Sequence, residues 1–196
     1  MTLAFLGGSF DPVHLGHVAL ARDLLDTHAV DEVRFLIARR PPHKPERRLA
    51  EDGHRLEMLR RALANEPRLS IDDRELARTG PSYTVMSMEE VRREHPDEDL
   101  CFILGADNLP DLPQWHAFER LKELCRFIVV ARPGEPGLDP EALARIGGVE
   151  ARVRAHDVSS SEIRRDVARG VDVSDRVHPE VARYIEENGL YASRET

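Results

Sequence analysis

Short apolar runs recur along the 196-residue chain, at residues 3–6, 33–37, 69–71, 100–104, 127–131 and, more weakly, 151–155. Several are apolar at every position, which suits strands covered on both faces. Between them apolar residues fall at helical spacing: Val18, Ala21, Leu24 and Leu25, then Leu56, Leu59, Ala62 and Leu63, and more weakly Met88 and Val91 with Thr84 on the same face. Strand–helix–strand alternation predicts right-handed βαβ units, hence an α/β chain with a doubly wound parallel sheet. The segment RPGEPGLDP at 132–140 is a turn-rich surface connection, beyond which the pattern becomes mostly helical. His178 and Pro179 open a last helix with Val181, Tyr184 and Ile185 as its apolar face and Gly189 as its C-cap. With no repeat, low-complexity tract or linker, residues 1–196 read as a single domain with a helical C-terminal portion from about residue 157.

Charge and cysteine content narrow the classes. The 28 basic and 36 acidic side chains leave a formal charge of −8, against the basic excess of a general nucleic-acid binder. A local basic pocket inside an acidic shell remains compatible with this balance. Cys101 and Cys125 each sit beside an apolar run and read as small buried hydrophobes in a reducing compartment. No apolar stretch approaches the ~18 residues of a membrane span, and MTLAFLGG lacks the basic and long apolar regions of a secretory signal. The expectation is a cytoplasmic protein with no membrane or nucleic-acid partner; the sequence leaves a homo-oligomer open.

The chemistry concentrates in GGSFDPVHLGH at 7–17, between the first strand and the first helix. Gly7 and Gly8 are expected to let the backbone turn and expose N–H groups. A helix beginning near Gly16 adds its positive dipole end, the arrangement that holds a phosphate outside the carboxyl end of a parallel sheet. The segment is neither G-x-G-x-x-G nor G-x-x-x-x-G-K-[ST], which removes support for hydride-transfer cofactors and P-loop chemistry. His14 and His17 lie three apart and can face one side, and the dipole disfavours their charged forms, so they are expected to act as neutral donors. A zinc pair lacks a third ligand at a familiar local spacing, and plain surface histidines are the other alternative.

GGSFDPVHLGH resembles the (T/H)xGH signature of the nucleotidyltransferase superfamily. The landmarks PPHK at 41–44, GHRLEML at 53–59, GPSYT at 80–84, GADNL at 105–109, QW at 114–115, VSSSEIR at 158–164 and ENGLY at 187–191 resemble its bacterial nicotinate-nucleotide adenylyltransferase branch, in order and over nearly the whole chain. The resemblance implies a Rossmann-like nucleotidyltransferase fold. It also implies transfer of the adenylyl group of ATP to nicotinate mononucleotide, with Mg²⁺ carried on the ATP phosphates.

SSSE at 159–162 reads independently as a capping box, with Ile163 and Val167 inward and Gly170 ending the helix. Arg164 and Arg165 then sit where a helix dipole opposes them, a conflict that a bound polyanion would remove, although both could simply face solvent. The segment is similar to the family's ISSTxIR motif, which implies that Ser160, Ser161 and Arg164 hold ATP phosphates. It departs from that motif at Val158 and Ser161.

With the resemblance, the expected ATP site comprises Gly7, Gly8, Ser9, Phe10, His14, Gly16, His17, Gly105, Asp107, Ser160, Ser161 and Arg164. His14, His17, Lys44 and Arg164 are its expected catalytic groups. Lys44, in the stiffened RRPPHK loop, could reach a phosphate as a flexible point charge. Ile37 stands where many relatives carry proline, and Arg39 and Arg40 add basic character without an assigned role. Ser82, Tyr83, Thr84, Trp115 and Lys44 form the expected mononucleotide site, with the single tryptophan stacking on the pyridine ring or serving only in packing. Asp107 and Asn108 follow an apolar run at a strand end. Asp107 could meet a ribose hydroxyl or the magnesium shell, or merely cap a helix, and no side chain is assigned as a direct metal ligand. Asp11 reads equally as an Asx-turn or a ligand residue.

Overall fold

The computed structural model describes residues 1–27, 30–41, 49–131, 138–153 and 158–192. Six parallel strands, β1 (Thr2–Gly8), β2 (Glu32–Ile37), β3 (Leu69–Asp72), β4 (Asp99–Gly105), β5 (Arg126–Ala131) and β6 (Gly148–Arg152), form one sheet in the order β3-β2-β1-β4-β5-β6. The helices are α1 (Leu15–Thr27), α2 (Asp52–Leu63), α3 (Thr84–Glu94), α4 (Phe118–Leu124), α5 (Pro140–Ile146), α6 (Ser160–Val167) and α7 (Pro179–Glu187). This is the expected doubly wound α/β architecture.

The all-apolar strands follow from coverage on both faces. In β1, Ala4 and Leu6 point into a core shared with α1, α2, α6 and α7, while Leu3 and Phe5 point into one shared with α3, α4 and α5. The strand order reverses direction between β1 and β4, and the crevice outside their carboxyl ends, at Gly8 and Gly105, is where such sheets take ligands.

The strand expected at 151–155 is instead Gly148–Arg152. Residues 154–157 lie outside the described part. At the sheet edge only Ala151 of this strand is buried and Val149 is 54% exposed, so its apolar signal is faint. The turn is made by Gly147, at φ 68°, the residue just past α5. Gly148 then passes so close to Ile146 that a Cβ would lie 2.8 Å from its Cδ1.

Of the connection expected at 132–140, residues 132–137 are outside the described part, and its end opens α5. Asp139 caps that helix by accepting the Glu141 N–H at 3.0 Å, with Pro140 at its first position. In α7, Val181 and Ile185 are buried, and Gly189, at φ 57°, ends the helix with the hydrogen bonds Gly189 N–H to Glu186 O and Leu190 N–H to Ile185 O. Both cysteines are buried free thiols, and burial pushes Cys125 up to about 12. Among the described residues no helix is long and apolar enough to cross a membrane.

Candidate active site

The first loop turns at a different place from the one expected. Gly7 and Gly8 are the last residues of β1, and neither has a positive φ. Their lack of side chains serves close approach: a Cβ would lie 2.6 Å from Phe102 at Gly7 and 2.9 Å from Phe10 at Gly8. The chain turns at Phe10, which holds the left-handed φ of 47°, and at the cis bond Asp11-Pro12. A left-handed phenylalanine persists only where its surroundings fix it. Here the residue is 2% exposed, and its ring packs on Phe35 and lies T-shaped to His17, with centroids 5.1 Å apart.

His14 precedes the first residue of α1, and its carbonyl accepts the N–H of His17 at 3.0 Å. The His14 and His17 rings stack with centroids 3.6 Å apart and planes 25° from parallel. Burial lowers His14 to about 4, and lowers His17 well below the usual histidine range with His14 adding to the effect. Both are neutral at pH 7, as expected, with burial as the main cause. The His14 backbone N–H donates to His17 Nδ1 at 3.3 Å. An imidazole accepting at Nδ1 carries its proton on Nε2, so His17 has a neutral N–H to offer a ligand.

The segment from 158 reaches this loop directly. Ser160 Oγ donates to the Pro12 carbonyl at 3.0 Å, and Arg164 Nη1 donates to the Asp11 carbonyl at 2.5 Å. A second Arg164 nitrogen donates to Ser161 Oγ at 3.1 Å. The N–H of Leu15 donates to the Arg176 carbonyl at 2.9 Å, adding another tie from the C-terminal part. The expected capping box is only half present: Ser159 occupies the N-cap, but its side chain makes no capping hydrogen bond. The dipole conflict expected for Arg164 and Arg165 is also absent, because α6 has only eight residues and both lie in its last turn, where cations are favourable. Ile163 is buried and Val167 packs on the same core, as expected. Asp11 makes no Asx-turn; its carboxylate Oδ1 accepts the Ala50 N–H at 3.2 Å and the Tyr191 hydroxyl at 2.7 Å.

A cavity of about 540 Å³ opens beside this loop. Gly7, Gly8 and Ser9 form one wall, and Gly105, Asn108, Trp115 and His116 border it with Ser82, Tyr83 and Thr84. Trp115 is half-buried with its ring edge-on to Phe102 at 6.0 Å, and His116 stacks on Tyr83 at 4.3 Å. Thr84 begins α3. Ser82 lines the cavity, but its hydroxyl is engaged by the protein, accepting the N–H groups of Arg39 and Arg40 at 3.1 and 3.2 Å. Asp107 is exposed in a 3-10 turn, Ala106–Asn108, and accepts from Asn108 Nδ2 at 3.1 Å. A Cβ on Gly105 would collide with the Asp107 carboxylate at 2.4 Å. The two imidazoles, Ser160 and Arg164 are outside this lining and connect to it through residues 7–17. Lys44 lies outside the described residues. Among the described residues no group of three or more His, Cys, Asp or Glu is placed to hold a metal.

Two residues at the site escaped the sequence reading. Arg55 is 0% exposed and donates to the carbonyls of Ser9 and Ala38 at 2.7 Å each, to that of Ala50 at 3.1 Å and to Asp52 Oδ1 at 2.5 Å. Its signal was present: at helical spacing it falls on the face of Met58, Leu59 and Ala62, where a charge has no reason to be unless it is satisfied. Glu75 lines the cavity at 4% exposure; burial raises it above the usual carboxylate range, and Ser87 Oγ donates to it at 2.6 Å. Nothing in its neighbourhood in the sequence marks it.

A family model described as "Cytidylyltransferase-like" matches residues 5–166. A protein of Thermus thermophilus named "Probable nicotinate-nucleotide adenylyltransferase" is 42% identical over 191 residues, 97% of this chain and 100% of its own length. Another of that name, from Geobacillus thermodenitrificans, is 39% identical over 98% of this chain and 87% of its own. In fold, the chain superposes on the Plasmodium falciparum nicotinic acid mononucleotide adenylyltransferase solved with NaAD, with a TM-score of 0.81, 24% identity and 97% coverage of both chains. A sheet reversing at a glycine-walled cavity, a paired-histidine helix start tied to a serine–arginine segment, and full-length similarity at this level have one reading: the chain belongs to the cytidylyltransferase-like family and, within it, to the nicotinate-nucleotide adenylyltransferases.

Proposed function

We propose that this enzyme transfers the adenylyl group of ATP to nicotinate mononucleotide, releasing pyrophosphate and giving deamido-NAD, a step of NAD biosynthesis. The names of its full-length relatives support the reaction. The observation that carries the site assignment is the junction of residues 11 and 12 with Ser160 and Arg164, which joins two candidate phosphate-binding segments from distant parts of the chain.

The 5′-phosphate of the mononucleotide attacks the α-phosphorus of ATP in line; the new P–O bond forms as the bond to the pyrophosphate oxygen breaks. The attacking group is already an anion, so no side-chain nucleophile is needed, and catalysis is positioning with charge stabilisation. His14 and His17 serve as neutral donors to the phosphates, with His17 Nε2–H the better defined. Arg164, with Ser160 and Ser161, takes charge developing on the pyrophosphate, and Lys44 is assigned the same task on resemblance alone. Gly7, Gly8, Ser9, Phe10, Gly16, Gly105 and Asp107 complete the proposed ATP site, while Tyr83, Thr84 and Trp115 receive the pyridine nucleotide. The described side chains offer no cage for Mg²⁺, so the ion would be held mainly by ATP oxygens, with the exposed Asp107 carboxylate as the side chain proposed to meet its water shell. Bound there, it would offset triphosphate charge. A net charge of −8 is no obstacle, since only the site needs a positive potential. The buried free thiols support a reducing, cytoplasmic location.

Pyrophosphate release, measured with ATP and each mononucleotide in turn, tests the reaction. Release is expected with nicotinate mononucleotide and at most weakly with the nicotinamide form; none with either, or equal rates with both, contradicts the proposal.

A further inference from the structure

Asp11 gathers three distant parts of the chain. It is 1% exposed, and Oδ1 accepts from the Ala50 N–H and the Tyr191 hydroxyl. Oδ2 is buried, accepts no hydrogen bond among the described residues and faces Arg164 Nη1 at 3.7 Å. The carbonyl of the same residue accepts from that nitrogen at 2.5 Å. One residue of the first loop therefore meets the Arg164 guanidinium through both its backbone and its carboxylate.

Tyr191 reaches Asp11 by a specific backbone path. After the turn that ends α7, the chain holds Tyr191 at φ 63°, a conformation that a residue with a side chain adopts only when its contacts require it. The ring packs against the core that carries α6 and α7, and the hydroxyl ends 2.7 Å from Asp11 Oδ1. Burial and the Asp11 charge raise the phenol above its usual range, so it remains a proton donor.

We propose that Tyr191 and Asp11 are positioning residues for adenylyl transfer: the Tyr191 hydroxyl fixes the Asp11 carboxylate, and Asp11 in turn sets the direction of the Arg164 guanidinium toward the triphosphate. The inference rests on the ATP role proposed for Arg164. The physical reason is geometry. Asp11 meets the guanidinium through both its carbonyl and its carboxylate, so a carboxylate that loses the donor on Oδ1 is free to rotate and shifts the guanidinium it contacts. Held by Tyr191 and Ala50, Asp11 keeps that contact in one orientation.

Tyr191→Phe removes only the hydroxyl. Its steady-state kinetics should show a KM for ATP raised about tenfold, with the KM for nicotinate mononucleotide unchanged. General loosening of the fold would move both. In an Arg164→Ala background the same substitution should have no further effect on ATP, since its target is gone. Asp11→Asn keeps the Oδ1 acceptor but removes the charge facing Arg164, and should reproduce the ATP-selective change if the phenylalanine variant does not fold. The positioning role is overturned if Arg164→Ala weakens ATP while the variant at Tyr191 or Asp11 does not, if both KM values shift together, or if the Tyr191→Phe effect persists without Arg164. Should Arg164→Ala itself leave ATP untouched, the ATP role of Arg164 fails instead, and the positioning role falls with it.

Discussion

Replacing His17 with alanine is expected to lower kcat by on the order of 10²-fold or more, the usual cost of deleting one fixed donor to a charged transition state. The ring is held by a T-shaped contact with Phe10, by His14 on its face and by a backbone N–H on Nδ1, so its remaining N–H is preorganised. Burial keeps it neutral, and its donor capacity is therefore independent of pH across the physiological range. The fold should survive, because truncation removes one hydrogen bond and two ring contacts at a residue that is not fully enclosed. Steady-state turnover beside far-ultraviolet circular dichroism checks this; wild-type kcat in a folded variant contradicts a phosphate-contacting role.

The largest stability effect is expected at Arg55. Methionine there keeps much of the volume but strands the carbonyls of Ser9, Ala38 and Ala50, together with Asp52 Oδ1. Leaving three partly buried carbonyls without their donor, and Asp52 with Arg39 alone, costs about 3 kcal/mol. In a domain of this length that is a Tm lowered by roughly 10 °C. Lysine, with a single nitrogen in place of the fork, should recover only part of it. Thermal unfolding of both variants measures this, and an Arg55→Met protein with wild-type Tm would mean that these contacts contribute little. Ser9 and Ala38 also line the cavity, so the variant should lose activity below its unfolding temperature as well.

The parts legible in the sequence were those written in local pattern. The buried strands declared themselves because both faces are covered, and the loop from 7 to 17 because its glycines and histidines are close together. The edge strand β6 was misplaced by three residues because only Ala151 faces the core. The turn was assigned to Gly7 and Gly8 because glycine usually makes turns, whereas Phe10 makes it and the glycines admit Phe102 and Phe10. The dipole conflict at Arg164 was an error of helix length, since eight residues place the fifth and sixth in the last turn. Arg55, Glu75 and Tyr191 were missed for a different reason. Arg55 does leave a periodic trace, on the buried face of α2, but the carbonyls of Ser9 and Ala38 that satisfy it come from other elements, as does the Asp11 carboxylate that receives Tyr191, and sequence spacing does not show such meetings.

The account depends on two remote segments, residues 7–17 and 158–164, forming one cradle for a triphosphate. A crystal structure with a non-hydrolysable ATP analogue tests this most directly. Phosphate oxygens within hydrogen-bond distance, about 3.2 Å or less, of both His17 Nε2 and the Arg164 guanidinium are the predicted result. A triphosphate seated on one segment with the other unengaged would contradict it.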